Sequence, residues 1–366
     1  MILFALVLFL YTALITQLAF GIVKMKKQNP IEVSVPKTTF SIIVPFRNEA
    51  ENLPILLESI EKLNYPIELF EVILIDDESE DRWKMEDGRW KTDVRVIPNQ
   101  RKSNSPKKDA IETAIQIAKH DWIVTTDADC EVPENWLQVF DSQIQKKDVK
   151  MCIGSVGYTS ETGFLHDFQN NDFLSLQGVT AGSFGIGKPF MCNGANFAYE
   201  KTFFNQLNGF EGNNNLASGD DVFLLQKALK VASEKIAYLG NINIVFTKSC
   251  DSWKTLLHQR VRWASKTSAY ASWYPKILGM VVFVTNLSSL ILLILPIYQL
   301  NLWEMTAYFF VMKFAIDFMF LKFSSAYFRI SFKNFLSSFL AYPFFTALVV
   351  GSAFYGKFEW KERQVK

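Results

Sequence analysis

Residues 2–23 are almost wholly apolar, and apolar residues crowd again beyond residue 277. An apolar run of about 20 residues, coiled as a helix, is long enough to cross the hydrocarbon core of a bilayer. The chain therefore divides into apolar ends and a middle with the mixed charged and apolar character of a soluble domain. A secretory signal peptide would open with basic residues, carry a shorter apolar core and end at a small-residue cleavage site. Here Lys24, Lys26 and Lys27 follow the run instead. Positive charge on that flank favours an uncleaved anchor, an integral membrane protein and a following domain in the cytoplasm. The expected organisation is an anchor over residues 1–24, a folded α/β domain over 38–249, an interfacial amphipathic region over 250–275 and membrane helices over 277–356.

The middle begins, after a proline-containing linker at residues 28–37, with a strand–helix rhythm. Short Val/Ile-rich runs at 40–45, 71–75, 94–97 and 123–126 predict strands. Helical spacing covers 52–63, with Asn52 as cap, and 107–119. The alternation argues for an α/β domain with a mostly parallel sheet covered on both faces. In such sheets ligands sit beyond the carboxyl ends of the strands. Asp76 and Asp77 follow one strand, and Asp127 and Asp129 follow another. Parallel strands put both pairs on one rim, where clustered carboxylates repel unless a cation or substrate donors compensate. Asp127-Ala128-Asp129 can aim two hard oxygen ligands at one Mg²⁺ or Mn²⁺ shared with substrate phosphates. A net charge of +1 gives no argument for nucleic acid. The four widely separated cysteines read as reduced thiols with no metal-ligand spacing.

Beyond residue 150 the pattern weakens. Residues 178–194 are glycine-rich and read as a flexible loop. Within them G-S-F-G-I-G-K-P approaches a phosphate-cradling loop, but Pro189 stands where a Ser or Thr hydroxyl is needed. A polar turn at 213–219 leads into Asp220-Asp221 and a helix with Val222, Leu225, Ala228 and Leu229 on its apolar face. Residues 250–273 interleave aromatics with Lys254, Arg260, Arg262 and Lys266, as a helix in a membrane interface does. Three apolar segments follow at 277–300, 302–321 and 335–356. The middle one carries Lys313 and Asp317, and is either a packed span or a helix along the surface.

Six motifs in this order resemble the membrane-bound family-2 glycosyltransferases of GT-A fold. They are S-I-I-V-P-F-R-N-E-A-E-N, I-D-D-E-S, P-K-K-D-A-I-E-T-A, D-A-D, G-D-D-V-F-L and Q-R-V-R-W, spread over residues 40–266. The resemblance implies that Pro45 and Glu49 line the nucleotide pocket and that Asp77 hydrogen-bonds the base. It implies that Lys107 approaches the nucleotide or its diphosphate, and that Asp127 and Asp129 bind the sugar nucleotide through the metal. Asp221 matches the carboxylate that serves as general base. Asp220 stands where the family more often has Glu, on the acceptor side. Gln259, Arg262 and Trp263 close the acceptor and diphosphate side.

Glycosyl transfer must neutralise a departing diphosphate and deprotonate an acceptor hydroxyl. A divalent cation suits the first task and one carboxylate the second. A single displacement inverts the anomeric centre. The expected function is an inverting, metal-dependent glycosyltransferase of cell-envelope glycan or glycolipid synthesis. It would use a nucleotide sugar, with a UDP-sugar favoured, and a lipid or lipid-linked acceptor. A processive polysaccharide synthase shares these motifs but devotes more helices to a channel. A non-catalytic scaffold of an export complex is opposed by the intact Asp127, Asp129 and Asp221. The basic tail, 357–366, resembles cytoplasmic tails and predicts a tail on the catalytic domain's side, with residues 302–321 lying along the interface.

Overall fold

The structure, a computed structural model, describes residues 2–27, 34–81, 89–146, 148–213, 218–299 and 302–354, with two short strands beyond them. Most of the expected 28–37 linker lies outside the described residues. Helix α1 (Ile2–Lys26) precedes β1 (Phe40–Phe46), α2 (Leu53–Glu61), β2 (Phe70–Asp76) and β3 (Val94–Pro98). Then come α3 (Pro106–Ile117), β4 (Trp122–Thr125), β5 (Cys130–Glu131), α4 (Trp136–Lys146), β6 (Met151–Ile153) and β7 (Val156–Tyr158). The next stretch holds α5 (Phe164–Gly185), β8 (Phe197–Glu200), α6 (Lys201–Gln206), α7 (Asp220–Ala232), β9 (Ile236–Tyr238) and β10 (Val245–Thr247). After these come α8 (Trp253–Ser265), α9 (Trp273–Tyr298), α10 (Trp303–Phe328), α11 (Phe335–Phe354) and the strands β11 (Phe358–Trp360) and β12 (Arg363–Val365).

The main sheet runs β3-β2-β1-β4-β8-β6-β9. Its first four strands are parallel, β8 is antiparallel to both neighbours, and β9 is parallel to β6. This is the mostly parallel α/β sheet expected of a GT-A domain. Its core strands are buried on both faces, so they read as continuous apolar runs. Ile43, Ile73 and Ile123 pack on one side with Ala110, Ile111 and Ala114 of α3. Ile42, Val44 and Val72 pack on the other with Leu53, Leu56 and Ile60 of α2. Asn52 does not cap α2; its side-chain amide donates to Glu49 Oε2 at 2.6 Å. A second sheet, β5-β10-β7, lies beside the first.

The structure corrects the first half of the glycine-rich stretch, while residues 186–193 lie outside helix and strand as expected. Gly178, Gly182 and Gly185 lie inside α5 rather than in a flexible loop. Their missing side chains let backbones touch. A Cβ on Gly182 would stand 2.5 Å from the Leu18 carbonyl oxygen of α1, and one on Gly185 would stand 2.0 Å from that of Gly21. One on Gly178 would meet the Ser324 hydroxyl of α10. α5 also buries Gln169, Asn171 and Asp172. Asn170 and Asn171 donate through Nδ2 to the Ser331 and Lys333 carbonyls, at 2.9 and 2.8 Å, where the chain leaves α10. α5 is thus a shelf on which α1, α10 and α11 rest.

Three helices among the described residues, α1, α9 and residues Phe335–Ala353 of α11, are long and apolar enough to cross a membrane. The segment expected at 302–321 forms the longer α10. Lys313 is buried and bonds Asp317 at 2.7 Å, one turn away, while the Tyr11 hydroxyl of α1 donates to the other oxygen of that carboxylate. That pairing fits the packed alternative for α10, since a surface helix would leave both charges to water. α10 packs against α1 and α9, and Phe345 and Val349 of α11 share a cluster with Leu256 and Val261 of α8.

Candidate active site

Every candidate residue named from the sequence borders one cavity of about 610 Å³. The sheet explains half of them. Parallel register pairs Phe46 with Asp76 and Ile43 with Thr125, so the chain leaves β1, β2 and β4 on the same rim. Pro45 and Glu49 come from the first exit, Asp77 from the second, and Asp127 and Asp129 from the third.

At the β1/β2 end, Asp77 is buried and fixed. Its Oδ1 accepts from Asn99 Nδ2 at 2.7 Å and faces Arg101 Nη1 at 3.6 Å. Arg47, which no sequence argument singled out, is buried beneath this corner. Its guanidinium donates to the carbonyls of Asp77 and Glu78 and pairs with Glu80 Oε1 at 2.7 Å. Those bonds hold a loop in which Asn48 and Glu78 both have positive φ, 53° and 59°.

At the centre, Lys107 opens α3 and donates to Asp127 Oδ1 at 2.5 Å, with Asp220 Oδ2 at 3.6 Å. Burial alone would lower the Lys107 pKa, but Asp127, Asp220 and Asp221 more than offset it, so the ammonium is held above its ordinary value. Asp129 is half-buried and faces the Cys130 thiol at 3.8 Å. Among the described residues no cluster of three or more ligating side chains could hold a metal. A pair of carboxylates on one strand end is nonetheless the donor set of a hydrated Mg²⁺ or Mn²⁺ completed by substrate phosphates. Asp127 already draws a positive charge, the Lys107 ammonium, onto one of its oxygens. The residues present therefore fit such a cation.

Asp221 reaches the same space from α7. The helix is capped at Gly219, in the left-handed region at φ 89°, and not by an aspartate side chain. Asp221 instead accepts the Gly194 N–H on Oδ2 at 2.9 Å and the Val222 N–H on Oδ1 at 2.7 Å. Thr125, the last residue of β4, donates its hydroxyl to the Gly194 carbonyl at 2.6 Å. Gly194 thus ties the strand end bearing Asp127 to the helix bearing Asp221, and a side chain there would crowd the two aspartates. A Cβ would stand 3.0 Å from Asp220 Oδ2. Burial raises the Asp221 carboxyl pKa; Lys266 opposes that, Asp220 adds to it, and the net shift is upward.

The remaining wall comes from α8. Arg260 Nε pairs with the buried Asp172 of α5 at 2.6 Å, and its guanidinium lies 4.3 Å from the Trp263 ring centroid. It also donates to Gln259 Oε1. Arg260 therefore orients the two motif neighbours, Gln259 and Trp263, while burial lowers the Arg262 pKa against the opposing charges of Asp127, Asp220 and Asp221. Asp172, Arg260, Gly194 and Lys266 were not singled out from the sequence as site residues. The run Q-N-N-D at 169–172, four polar residues in a helix with no exposed face, is the signal that could have marked Asp172. Past Trp263 the lining turns apolar, with Leu278 and Val282 of α9 and Phe345 and Val349 of α11.

Residues 41–207 match the family model described as glycosyl transferase family 2. Glycosyltransferase AglE of Haloferax volcanii is 24% identical over 193 residues, which are 51% of this chain and 60% of that protein. The chain thus spans about 60% of this curated relative's length. Mannosyltransferase PcManGT of Pyrobaculum calidifontis, solved in complex with GDP-Man and Mn²⁺, superposes with a TM-score of 0.55 at 15% identity, covering 96% of this chain and 98% of that one. At that identity the likeness shows the fold. S. aureus TarS 1-349 in complex with UDP-GlcNAc gives a TM-score of 0.45 at 14% identity, over 90% of this chain and 97% of that one.

Proposed function

From the match of residues 41–207 to the glycosyl transferase family 2 model, we propose that this protein transfers a sugar, with inversion, from a nucleoside-diphosphate sugar to a lipid or lipid-linked acceptor. One observation carries the reading. A single cavity runs from the β1/β2 corner, past Asp127, Asp129 and Asp221, to a wall of apolar side chains from helices long enough to cross a membrane. A water-soluble acceptor has no use for that wall.

The nucleoside lies between Pro45, Glu49 and Asp77, whose carboxylate hydrogen-bonds the base. Asp127 and Asp129 would hold a divalent cation, which would supply Lewis-acid charge for the leaving diphosphate. Lys107 releases its grip on Asp127 to face the same phosphates. Asp221, with each oxygen steadied by a backbone N–H, takes the proton of the acceptor hydroxyl. Ionisation is needed for that role, and Lys266 favours the ionised form. No second acid is required, and one displacement inverts the sugar. Trp263, backed by Arg260, closes the acceptor side.

The catalytic domain faces the cytoplasm in this reading. Lys24 and Lys26 end α1 on the domain's side. α9 leaves the domain and α10 returns to it, bonded through Ser331 and Lys333 to α5. This route brings residues 329–334 back to the domain's side, and a crossing α11 would then carry the tail to the other side, unlike the tail expected from an interfacial 302–321. Incubating detergent-purified protein with a panel of nucleotide sugars and Mn²⁺ tests the activity. Release of one nucleoside diphosphate above background supports it, and release from none refutes it.

A further inference from the structure

A second cavity, of about 620 Å³, shares Phe190 with the catalytic one and none of the residues assigned to transfer. Phe184 of α5 and the chain at 187–190 form one wall, and Leu229, Lys230 and Ile236 another. Ala271 and Ser272, directly before α9, close the third side. Lys188 is the lysine of G-S-F-G-I-G-K-P, a stretch with no place in the transfer chemistry.

The charged side chains of this lining are Lys188, Lys230 and Glu234, all exposed. Neither lysine forms a side-chain hydrogen bond or ion pair with any described residue; Lys188 Nζ stands 5.0 Å from the Tyr274 ring centroid. Gln226 adds a donor. Its Oε1 accepts the Ala271 N–H at 2.9 Å, which leaves Nε2 buried and without a partner among the described residues. Two cations and an amide beside Leu229 and Ile236 suit an anion attached to hydrocarbon.

The position of the cavity says where that anion comes from. It lies where the apolar helices meet the domain. Lys24 and Lys26 end α1, and a Cβ on Gly185, the last residue of α5, would stand 2.0 Å from the Gly21 carbonyl oxygen. α9 opens with the exposed Trp273, which lies under Lys276 Nζ at 5.3 Å, and the Tyr274 hydroxyl donates to Gln17 Oε1 of α1 at 2.9 Å. Trp, Tyr and Lys gathered at the ends of apolar helices mark the depth of lipid headgroups, and anionic headgroups collect around basic residues there. Glu234 opposes one of the two cavity charges, but Lys24, Lys26 and Lys276 keep the surroundings basic.

We propose that this cavity seats the headgroup of an anionic membrane phospholipid, its phosphate held by Lys188 and Lys230 and its acyl chains on the bilayer side. The lipid is a bound component and not the acceptor. The seat rests on α1 and α9 lying in a bilayer, and not on the transfer chemistry.

The probes are dioctanoyl phosphatidylglycerol, dioctanoyl phosphatidylcholine and glycerol phosphate, titrated by thermophoresis into full-length protein in an uncharged detergent. Phosphatidylglycerol is expected to bind about tenfold or more tighter than either of the others. Lys188→Gln and Lys230→Gln should each weaken it about fivefold, the effect of one basic residue at an anionic surface, and the double variant about twenty-fivefold. Phosphatidylcholine binding should not change. Lys276→Gln, at the same depth but outside the lining, should leave phosphatidylglycerol binding within about twofold. Both cavity lysines are exposed, so a melting midpoint equal to wild type without lipid shows that their variants are folded. Equal binding of the two phospholipids overturns the anion seat, and equal binding of phosphatidylglycerol and glycerol phosphate overturns the lipid. A loss in Lys276→Gln as large as in Lys188→Gln, or a double variant that binds like wild type, overturns the cavity as the place. Should no nucleotide sugar turn over while phosphatidylglycerol binding depends on Lys188 and Lys230, the seat stands and the transferase reading falls.

Discussion

Substituting Gly21 by alanine tests whether α1 is a tether or part of the fold. The new Cβ would stand 2.1 Å from the Gly182 carbonyl oxygen, and the obstacle is backbone, which cannot rotate aside. Ordinary contact begins at about 3.4 Å, so α1 must retreat from α5 by roughly 1.3 Å. The retreat opens packing around Leu18 and Ile22, which are now buried. Overpacking of this kind costs about 1–3 kcal/mol, enough to lower a melting midpoint by a few degrees. Gly182→Ala, blocked by the Leu18 carbonyl at 2.5 Å, should behave alike, whereas Gly351→Ala meets no atom within 4 Å and serves as control. Activity should fall too, because α5 carries Asp172, Leu176 and Val179 on the cavity wall. The assay is intrinsic-fluorescence melting in detergent, with transfer measured on the same preparation. If Gly21→Ala and Gly182→Ala both melt with wild type and the control, the close α1–α5 contact is wrong.

Asp221→Asn should lose roughly 10²–10⁴ in transfer rate while still binding nucleoside diphosphate; transfer within a few-fold of wild type would hand the role to Asp220. The wild-type acid limb should lie above the ordinary carboxylate range. Burial raises the Asp221 carboxyl pKa, and the base is lost as pH falls through that raised value. Asp127→Ala and Asp129→Ala should each weaken cation-dependent donor binding, and chelation should mimic them; full turnover in excess chelator would remove the pair from the metal. Asp172→Asn leaves the Arg260 guanidinium buried without its counter-charge and should cost about 3–5 kcal/mol of stability. Arg260→Met in the same chain should recover part of that loss, and a double variant as unstable as the single one would deny the coupling.

The parallel strands could be read from the sequence because each is buried on both faces. Ile42, Ile43 and Val44 form one run and Val72 to Ile75 another, and β-branched apolar runs this short suit a buried strand better than a helix. The rim residues followed from the strands, since a strand's end fixes where Asp77, Asp127 and Asp129 stand. What failed were inferences from single residue types. Glycines at 178, 182 and 185 suggested a loop because glycine has poor helix propensity. In place they are the only side chains small enough for α1 and α10 to touch α5, a tertiary reason with no local trace. The Asp221 carboxylate accepts from Gly194, 27 residues away in the chain, a contact with no local trace. The Asp172–Arg260 pair joins residues 88 apart, and neither has a pattern that announces the other.

The catalytic cavity does not respect the boundaries that composition drew. Residues 38–249 contain all the carboxylates with proposed roles, but Gln259, Arg262, Trp263 and Lys266 come from α8 and the turn beyond it. The apolar arm comes from α9 and α11, and Ile15 of α1 reaches the same space. α5 is what makes this possible. It belongs to the domain by sequence position, yet it presents glycines to α1 and α10, asparagines to the chain leaving α10, and Asp172 to α8. The helices that could cross a membrane are thereby fixed against the residues proposed to hold the donor. An acceptor whose chain lies between α9 and α11 would need no transport step to meet Asp221, because hydrocarbon and base border one cavity. On the proposed reading the apolar helices would form the acceptor half of the active site.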